Sequence, residues 1–164
     1  MTFELTRKRV YEWLGEIPDP EIPVVSILDL GIVRDVTVHS AEEVTVVITP
    51  TYSGCPAMDI IGMQIRMALL GRGIKKIEIE MQLQPAWTTD WITEAGKSKM
   101  KAFGIAPPQR KAQDALGLFE EDRIACPHCG SAHTELVSRF SATSCKAMYR
   151  CLDCKEPFEH FKCH

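Results

Sequence analysis

The 164-residue sequence has no long apolar run and no excess of basic residues. A helix that crosses a bilayer needs about 20 apolar residues, and no stretch approaches that length, so contact with a membrane is not expected. The formal net charge of −3 offers no general attraction to nucleic acid or to anionic lipid. No apolar segment follows the first residues, so we expect no secretory signal. Together these absences favour the cytoplasm.

The sequence also lacks the residue patterns of common catalytic centres. It contains no glycine-rich phosphate loop, no Ser-His-Asp arrangement and no defensible pair of catalytic carboxylates. Hydrophobic residues make up 45% of the chain and charged residues 25%, which is typical of a globular domain. We therefore expect a globular protein that is not catalytic by itself.

Cysteine is scarce in the first three quarters of the chain and abundant in the rest. Four cysteines form two C-x-x-C pairs, Cys126 with Cys129 and Cys151 with Cys154, separated by 21 residues. Two such knuckles on a hairpin can aim four sulfurs at one tetrahedral metal ion. The spacing predicts a structural zinc site in a zinc ribbon, and the geometry would also accept iron. Free or disulfide-bonded cysteines are the alternative.

The tail has two further cysteines, Cys145 and Cys163, which one four-sulfur site does not need. They are either ordinary thiols or auxiliary contacts to a second metal or cluster near Cys55. Residues 124–164 carry a net charge of +1 and residues 1–123 carry −4. The ribbon is therefore not a basic patch, which argues against the alternative that it binds nucleic acid.

The residues before the tail predict a small α+β domain. Apolar spacing indicates helices near residues 5–14, 56–70 and 91–103, and strands over 32–39, 44–49 and 74–83. This order predicts a three-stranded sheet with helices mainly on one face. Prolines at 107 and 108 then end the domain. We expect one domain over 1–105, a linker over 106–123 and the zinc ribbon over 124–164.

The single cysteine of the first domain, Cys55, follows a predicted strand and precedes a predicted helix. A thiol at a helix N-terminus faces unpaired N–H groups and the positive end of the helix dipole. Both favour the thiolate, which binds metals, and Thr51 offers a nearby hydroxyl. From position alone, a buried structural thiol is an equal alternative.

Two carboxylates, Asp19 and Glu21, lie in a segment that two prolines stiffen, Asp19-Pro20-Glu21-Ile22-Pro23. They could bind a cation, orient a partner or accept N–H bonds within the loop. The residues alone favour the last use, because an aspartate before proline often stabilises a turn.

Three motifs together resemble a known family: Asp19-Pro20-Glu21, Leu30-Gly31-Ile32-Val33 and Thr51-x-x-x-Cys55-Pro56. This is the metal–sulfur cluster biosynthesis family, which includes the bacterial SufT proteins and a component of the eukaryotic cytosolic iron–sulfur targeting complex. The resemblance covers about residues 5–103. It implies a small α+β fold, a role in maturing iron–sulfur proteins and a functional cysteine at Cys55.

The residues after the first domain make the resemblance more specific. Such a domain, followed by the two knuckles, by Ser144-Cys145-Lys146-Ala147 and by Glu156-Pro157-Phe158, is similar to the PaaD family of aerobic phenylacetate degradation. Members of that family are described as subunits of phenylacetyl-CoA epoxidase, a multicomponent di-iron monooxygenase that makes the ring 1,2-epoxide. The epoxidase components are thus the implied partners.

The role that this resemblance implies is assembly. Cys55, with Thr51, Asp19 and Glu21 beside it, would hold iron or an iron–sulfur cluster transiently and deliver it to the iron–sulfur reductase component. Iron–sulfur scaffold proteins would be further partners. The alternative is a stable structural or regulatory subunit of the oxygenase that never handles a cluster.

Overall fold

The computed structural model describes residues 5–109 and 123–162, which fall into two compact units. The first unit ends at Trp87 and the second begins at Thr88. The domain boundary predicted at residue 105 therefore lies inside the second unit. Most of the predicted linker, residues 110–122, lies outside the described residues. Within the described ranges, no helix combines the length and the apolar content needed to cross a membrane.

The first unit is built on a three-stranded sheet. Its elements are α1 (Arg7–Leu14), β1 (Val33–Ser40), β2 (Glu43–Ile48), α2 (Ala57–Leu70) and β3 (Lys76–Met81). Strands β1 and β2 form an antiparallel hairpin, and β2 pairs in parallel with β3, which gives the order β1-β2-β3. A parallel pair needs a crossover connection, and α2 provides it. The predicted α+β class and three-stranded sheet are confirmed.

The core of the first unit is formed by one face of each helix and by the strands. Helix α1 contacts β1, α2 contacts β3, and the two helices contact each other. Side chains with no exposed surface come from α1, β2, α2 and the loop before β1: Val10, Leu14, Ile27, Val44, Val46, Ile65 and Leu69. This packing fixes the turn between β2 and α2, where Cys55 lies.

Helix α2 has a second apolar face that the core does not use. Its buried residues are Ala57, Met58, Ile61, Ile65 and Leu69. Four others remain about half exposed or more: Ile60 at 49%, Met63 at 62%, Met67 at 67% and Leu70 at 53%. The alternation of Ile77, Ile79, Met81 and Leu83 predicts a third strand with one buried face. Ile77 and Ile79 are partly buried, but Met81, where β3 ends, is 50% exposed and Leu83, beyond the sheet, is 62% exposed.

The second unit contains a four-stranded sheet. Its elements are a 3₁₀ turn (Thr89–Trp91), α3 (Glu94–Phe103), β4 (Ile105–Ala106), β5 (Thr134–Ser138), β6 (Lys146–Cys151) and β7 (Pro157–Phe161). The strand order is β4-β7-β6-β5, with β4 parallel to β7 and the other pairs antiparallel. The helix predicted from residue 91 begins at Glu94, because the Thr93 side chain caps it by accepting the Gly96 N–H.

The core around the knuckles of the second unit is small. One cluster of buried residues consists of Ala106, Ile124, Cys126, Cys151 and Phe158, and Tyr149 and Cys154 pack against it. Two members of this cluster, Cys126 and Cys151, are predicted metal ligands. A core of this size stabilises a module weakly without a metal or a disulfide.

Candidate functional site

Cys55 lies in the turn between β2 and α2. Its N–H donates to the carbonyl oxygen of Tyr52 at 3.3 Å. Gly54 adopts a positive φ of 74°, a conformation that glycine tolerates best. A Cβ placed on Gly54 would meet no atom within 4 Å, so the turn is open at this point. Cys55 itself is half-buried.

Competing influences act on the Cys55 sulfur. Burial has the largest effect and raises the pKa of the thiol. The Ala57 N–H at the start of α2 and the hydroxyls of Tyr52 and Thr51 donate to the sulfur and oppose this rise. The Glu21 carboxylate repels a negative sulfur and adds to it. The net shift is upward, so the prediction of an ionised free thiol is wrong: burial and Glu21 outweigh the helix terminus.

A bound cation would favour the thiolate form of Cys55 over the protonated thiol. Metal binding displaces the thiol proton, because only the thiolate is a ligand. A thiolate would gain the same three donors, from Ala57, Tyr52 and Thr51, and the Glu21 carboxylate would attract the cation instead of repelling charge. Iron accepts sulfur and oxygen ligands, and iron–sulfur clusters are held by thiolates. With its proton displaced, the Cys55 sulfur in this turn could therefore serve as a ligand of a metal cation.

Asp19 serves the loop that carries Glu21. It is 5% exposed, and its Oδ1 accepts the N–H groups of Glu21 at 2.9 Å and Ile22 at 2.8 Å. Its own N–H donates to the Val25 carbonyl oxygen at 2.8 Å. Of the four residues predicted for iron or cluster handling, Thr51 donates a hydrogen bond to the Cys55 sulfur and Glu21 acts on that sulfur through its charge. The hydrogen bonds described for Asp19 hold the backbone on either side of Glu21.

Sequence reasoning did not find Tyr52. Its hydroxyl reaches the Cys55 sulfur, and its carbonyl accepts the Cys55 N–H. The only signal in the sequence was its position, three residues before the cysteine in a turn. That position allows both contacts once the chain reverses direction.

The four knuckle cysteines come together in the second unit. The Sγ atoms of Cys126, Cys129, Cys151 and Cys154 all lie within 4.8 Å of one another. Cys126 and Cys154 are 3.8 Å apart, and Cys129 and Cys151 are 3.6 Å apart. A tetrahedral site with Zn–S bonds of about 2.3 Å places its sulfurs about 3.8 Å apart. The predicted ligand set therefore has the dimensions of a zinc site.

The charges of these sulfurs also favour a cation. Desolvation opposes ionisation of Cys151, but the N–H groups of Cys154 and Asp153 outweigh it and lower its pKa to about 7. The Glu156 N–H favours the Cys154 thiolate, but desolvation and the neighbouring sulfurs raise that pKa to about 12. Four thiolates in one place repel one another, and a divalent ion removes this repulsion.

The two knuckles are joined by polar side chains next to the ligands. Asp153 accepts a hydrogen bond from the Ser131 hydroxyl, and its Oδ1 lies 3.1 Å from Nδ1 of His133. These two contacts lower the pKa of the Asp153 carboxyl. Leu152 N–H also donates to the His133 carbonyl oxygen at 2.8 Å. Such contacts orient the residues that surround a metal site.

Cys145, one of the two auxiliary thiols, stands apart from this cluster. Cys145 is 2% exposed, and its Sγ lies 3.1 Å from the Thr143 hydroxyl. In the part of the chain that the structure describes, the group of metal-ligating side chains in the ribbon comprises the four knuckle cysteines and does not include Cys145. Cys163 lies outside the described residues. The auxiliary role of both thiols stays a prediction.

Two family models match the chain. Residues 7–81 match the model of an iron–sulfur cluster assembly protein, and residues 110–162 match the model of the PaaD zinc beta ribbon domain. A curated relative from Escherichia coli (strain K12), whose name describes it as a subunit of 1,2-phenylacetyl-CoA epoxidase, is 45% identical over 154 residues. That alignment covers 94% of this chain and 91% of the relative.

Other relatives correspond to the first part of the chain. A protein from Porphyromonas gingivalis named "Fe-S protein maturation auxiliary factor" is 36% identical, covering 56% of this chain and 88% of its own length. The crystal structure of a DUF59 domain of unknown function from Bacillus anthracis has a TM-score of 0.53 at 26% identity. It covers 57% of this chain and 90% of that structure. A conserved hypothetical protein from Thermotoga maritima has a TM-score of 0.52 at 25% identity, covering 61% of this chain and 98% of that one.

Proposed function

The chain belongs to the PaaD family, in which an iron–sulfur cluster assembly domain is joined to a zinc β-ribbon, and on that premise we propose that it is a non-catalytic maturation factor. Its role would be to assist iron–sulfur cluster assembly or insertion in the phenylacetyl-CoA epoxidase system. The names of its relatives support both parts of this role, since one is named as a subunit of that epoxidase and another as an auxiliary factor of iron–sulfur protein maturation.

The observation that carries the proposal is the environment of Cys55. A half-buried thiol at an open turn has an N–H group and two hydroxyls directed at its sulfur, with the Glu21 carboxylate nearby. Iron or a cluster would bind as cargo, the thiol proton would pass to solvent, and the donors from Ala57, Tyr52 and Thr51 would steady the thiolate. Because protons compete with the cargo for a thiolate of raised pKa, cargo binding should weaken as the pH falls.

The ribbon has a different part in this proposal. Its four cysteines would hold zinc, whose contribution is to fold the module, since the cluster of buried residues beneath the site is small. A folded ribbon would then dock onto the client or onto an iron–sulfur scaffold protein. A thiol-rich chain of this kind works in a reducing compartment, for which we propose the cytoplasm.

The client that we propose is the iron–sulfur reductase component of the epoxidase. Metal and acid-labile sulfide analysis of the chain, purified without oxygen after co-production with that reductase, tests the cargo step. We expect about one zinc per chain in all samples and additional iron with sulfide that disappears in Cys55→Ser. Iron and sulfide that persist in Cys55→Ser would contradict the role given to Cys55.

The name of the Escherichia coli relative also supports a second candidate, a stable structural or regulatory subunit. That role predicts co-purification with the oxygenase in fixed stoichiometry and a reductase whose cofactor content does not depend on this chain. The maturation role predicts substoichiometric recovery and a reductase that lacks clusters when the chain is absent.

A further inference from the structure

The exposed stripe of α2 has the spacing of a helix-pairing surface. Its members, Ile60, Met63, Met67 and Leu70, follow one another at intervals of three, four and three residues. This is the a/d spacing by which one helix packs against another. The opposite face of α2 already fills the core, so the stripe is not needed to fold the unit. We call these four residues the α2 seam.

We propose that the α2 seam is a self-association surface, on which two copies of this chain pair their α2 helices in antiparallel orientation. The four seam residues are spaced symmetrically about position 65. Ile60 and Leu70 lie five residues from it, and Met63 and Met67 lie two residues from it. An antiparallel pair therefore sets Ile60 against Leu70 and Met63 against Met67. A two-fold interface requires this self-complementarity.

The charges at the ends of α2 favour the same orientation. Asp59 is exposed in the first turn, and Arg72 follows the last turn. Antiparallel pairing brings Asp59 of one copy to the level of Arg72 of the other, whereas parallel pairing would set Asp59 against Asp59. Arg72 donates to the Ala68 carbonyl and to Glu16, and a guanidinium has five N–H donors, so further donors remain for Asp59. Antiparallel pairing also places the positive end of each helix dipole beside the negative end of the other.

A groove next to the seam supplies room for the second copy. It has a volume of about 260 Å³ and lies between α1 and α2, where Trp13, Ile17 and Pro18 face Met67 and Ala68. Antiparallel pairing directs Met63 of the second copy toward Met67, at the edge of this groove. Methionine is unbranched and polarizable, so it fills such irregular apolar space well.

The proposed pair leaves the two Cys55 sites separate. With the two-fold axis at Ile65, the first residues of the two helices, Ala57 in each copy, lie about 24 Å apart along the helix axis. No residue of one copy is needed at the cysteine of the other. Self-association and cargo binding by Cys55 can therefore fail independently.

Sedimentation equilibrium of the full chain tests the proposal. We expect a monomer–dimer equilibrium, and Met63→Glu with Met67→Glu should raise the dimer dissociation constant more than about tenfold, because carboxylates would be buried at the interface. The matched control is Leu136→Glu in β5, an apolar residue of 48% exposure outside the seam, which should leave the dissociation constant unchanged. A wild-type chain that stays monomeric at about 100 μM, or a dimer that the seam variant does not weaken, would overturn the proposal.

Cross-linking provides a second readout with variants that disturb the fold less. Ile60→Cys combined with Leu70→Cys should give an intermolecular disulfide between positions 60 and 70, identified by mass spectrometry of the oxidised dimer. Neither single substitution should link position 60 to 60 or position 70 to 70. Same-position disulfides in the single variants would indicate parallel pairing and would also overturn the proposal.

Discussion

Burial raises the pKa of the Cys55 thiol, and the carboxylate of Glu21 raises it further, although the two residues lie in separate loops of the first unit. The charge of the loop after α1 thus acts on the sulfur in the turn before α2. This relationship couples the motif Asp19-Pro20-Glu21 electrostatically to the motif Thr51-x-x-x-Cys55-Pro56. Together with burial, which has the larger effect, it keeps the free thiol from ionising at the helix terminus.

Replacing Glu21 with glutamine should lower the pKa of Cys55. Removal of the negative charge leaves burial opposed by the Ala57, Tyr52 and Thr51 donors alone. Iodoacetamide alkylation of Cys55, followed by mass spectrometry from pH 7 to pH 10, should show a midpoint at lower pH and faster reaction at pH 8. Glu42→Gln is the control, because Glu42 pairs with Lys75 in an exposed ion pair. An unshifted alkylation profile in Glu21→Gln would show that the carboxylate does not act on the sulfur.

Replacing Asp19 with alanine should destabilise the first unit by about 1–3 kcal/mol, since two loop N–H groups would lose their acceptor in a buried place. Asp19→Asn keeps an oxygen in the same position and should cost less. Urea denaturation of both variants measures the two free energies of unfolding. Equal stability of Asp19→Ala and the wild type would mean that the loop does not depend on these hydrogen bonds.

Loss of one knuckle cysteine should abolish metal binding and the fold of the ribbon. Cys129→Ser removes one of four ligands, and structural zinc sites contribute about 10–16 kcal/mol to folding. Metal analysis should fall from about one zinc per chain to none, and β5 to β7 should lose protection in hydrogen exchange. Cys145→Ala is the matched control and should retain its metal, because Cys145 is buried outside the four-sulfur cluster. Loss of zinc in Cys145→Ala would instead make Cys145 part of the site.

The ion pair between Lys146 and Glu159 should make the second unit sensitive to acid. Lys146 Nζ lies 2.8 Å from Glu159 Oε2, with side-chain exposures of 5% and 24%. Burial raises the pKa of Glu159, but Lys146 and the Ser141 hydroxyl outweigh it, and the net shift is downward. A carboxyl with a lowered folded pKa stabilises the fold above its unfolded value, about 4.3, and loses this contribution as the pH falls through the folded pKa.

Glu159→Gln should therefore cost about 1–3 kcal/mol at pH 7, because Lys146 would stay buried without its counterion. The difference from the wild type should narrow below about pH 4, where the wild-type carboxyl is also neutral. The double variant Lys146→Met with Glu159→Leu should regain most of the loss at pH 7. A difference that stays constant from pH 3 to pH 7 in urea denaturation would rule out this linkage.

The structure shows which sequence signals are reliable. The knuckle cysteines were predictable because C-x-x-C is a local pattern, and the second unit brings all four sulfurs together. The strands of the first sheet were predictable from alternation, and α2 from its apolar spacing and Pro56. Periodicity did not reveal that Ile60 and Ile61 belong to different faces, one exposed and one buried.

Other features depend on contacts between distant residues, which local patterns do not contain. Strand β4 pairs with β7, so Ile105 and Ala106 belong to the second unit although a pair of prolines follows them. The raised pKa of Cys55 depends on burial and on Glu21, whose combined effect on the thiol local patterns do not contain. The hydroxyl contact from Tyr52 likewise exists only because the turn folds back on itself.

The proposed delivery of iron–sulfur clusters by Cys55 can be tested by the cluster content of the epoxidase reductase in cells. Iron and acid-labile sulfide should be measured in reductase purified without oxygen from cells that produce wild-type chain, Cys55→Ser chain or none. If Cys55 holds the cargo, the reductase should carry a full cluster complement with the wild-type chain and an equal, several-fold deficit in the other two, while Cys145→Ala behaves as wild type. Full cluster occupancy in the presence of Cys55→Ser would contradict it.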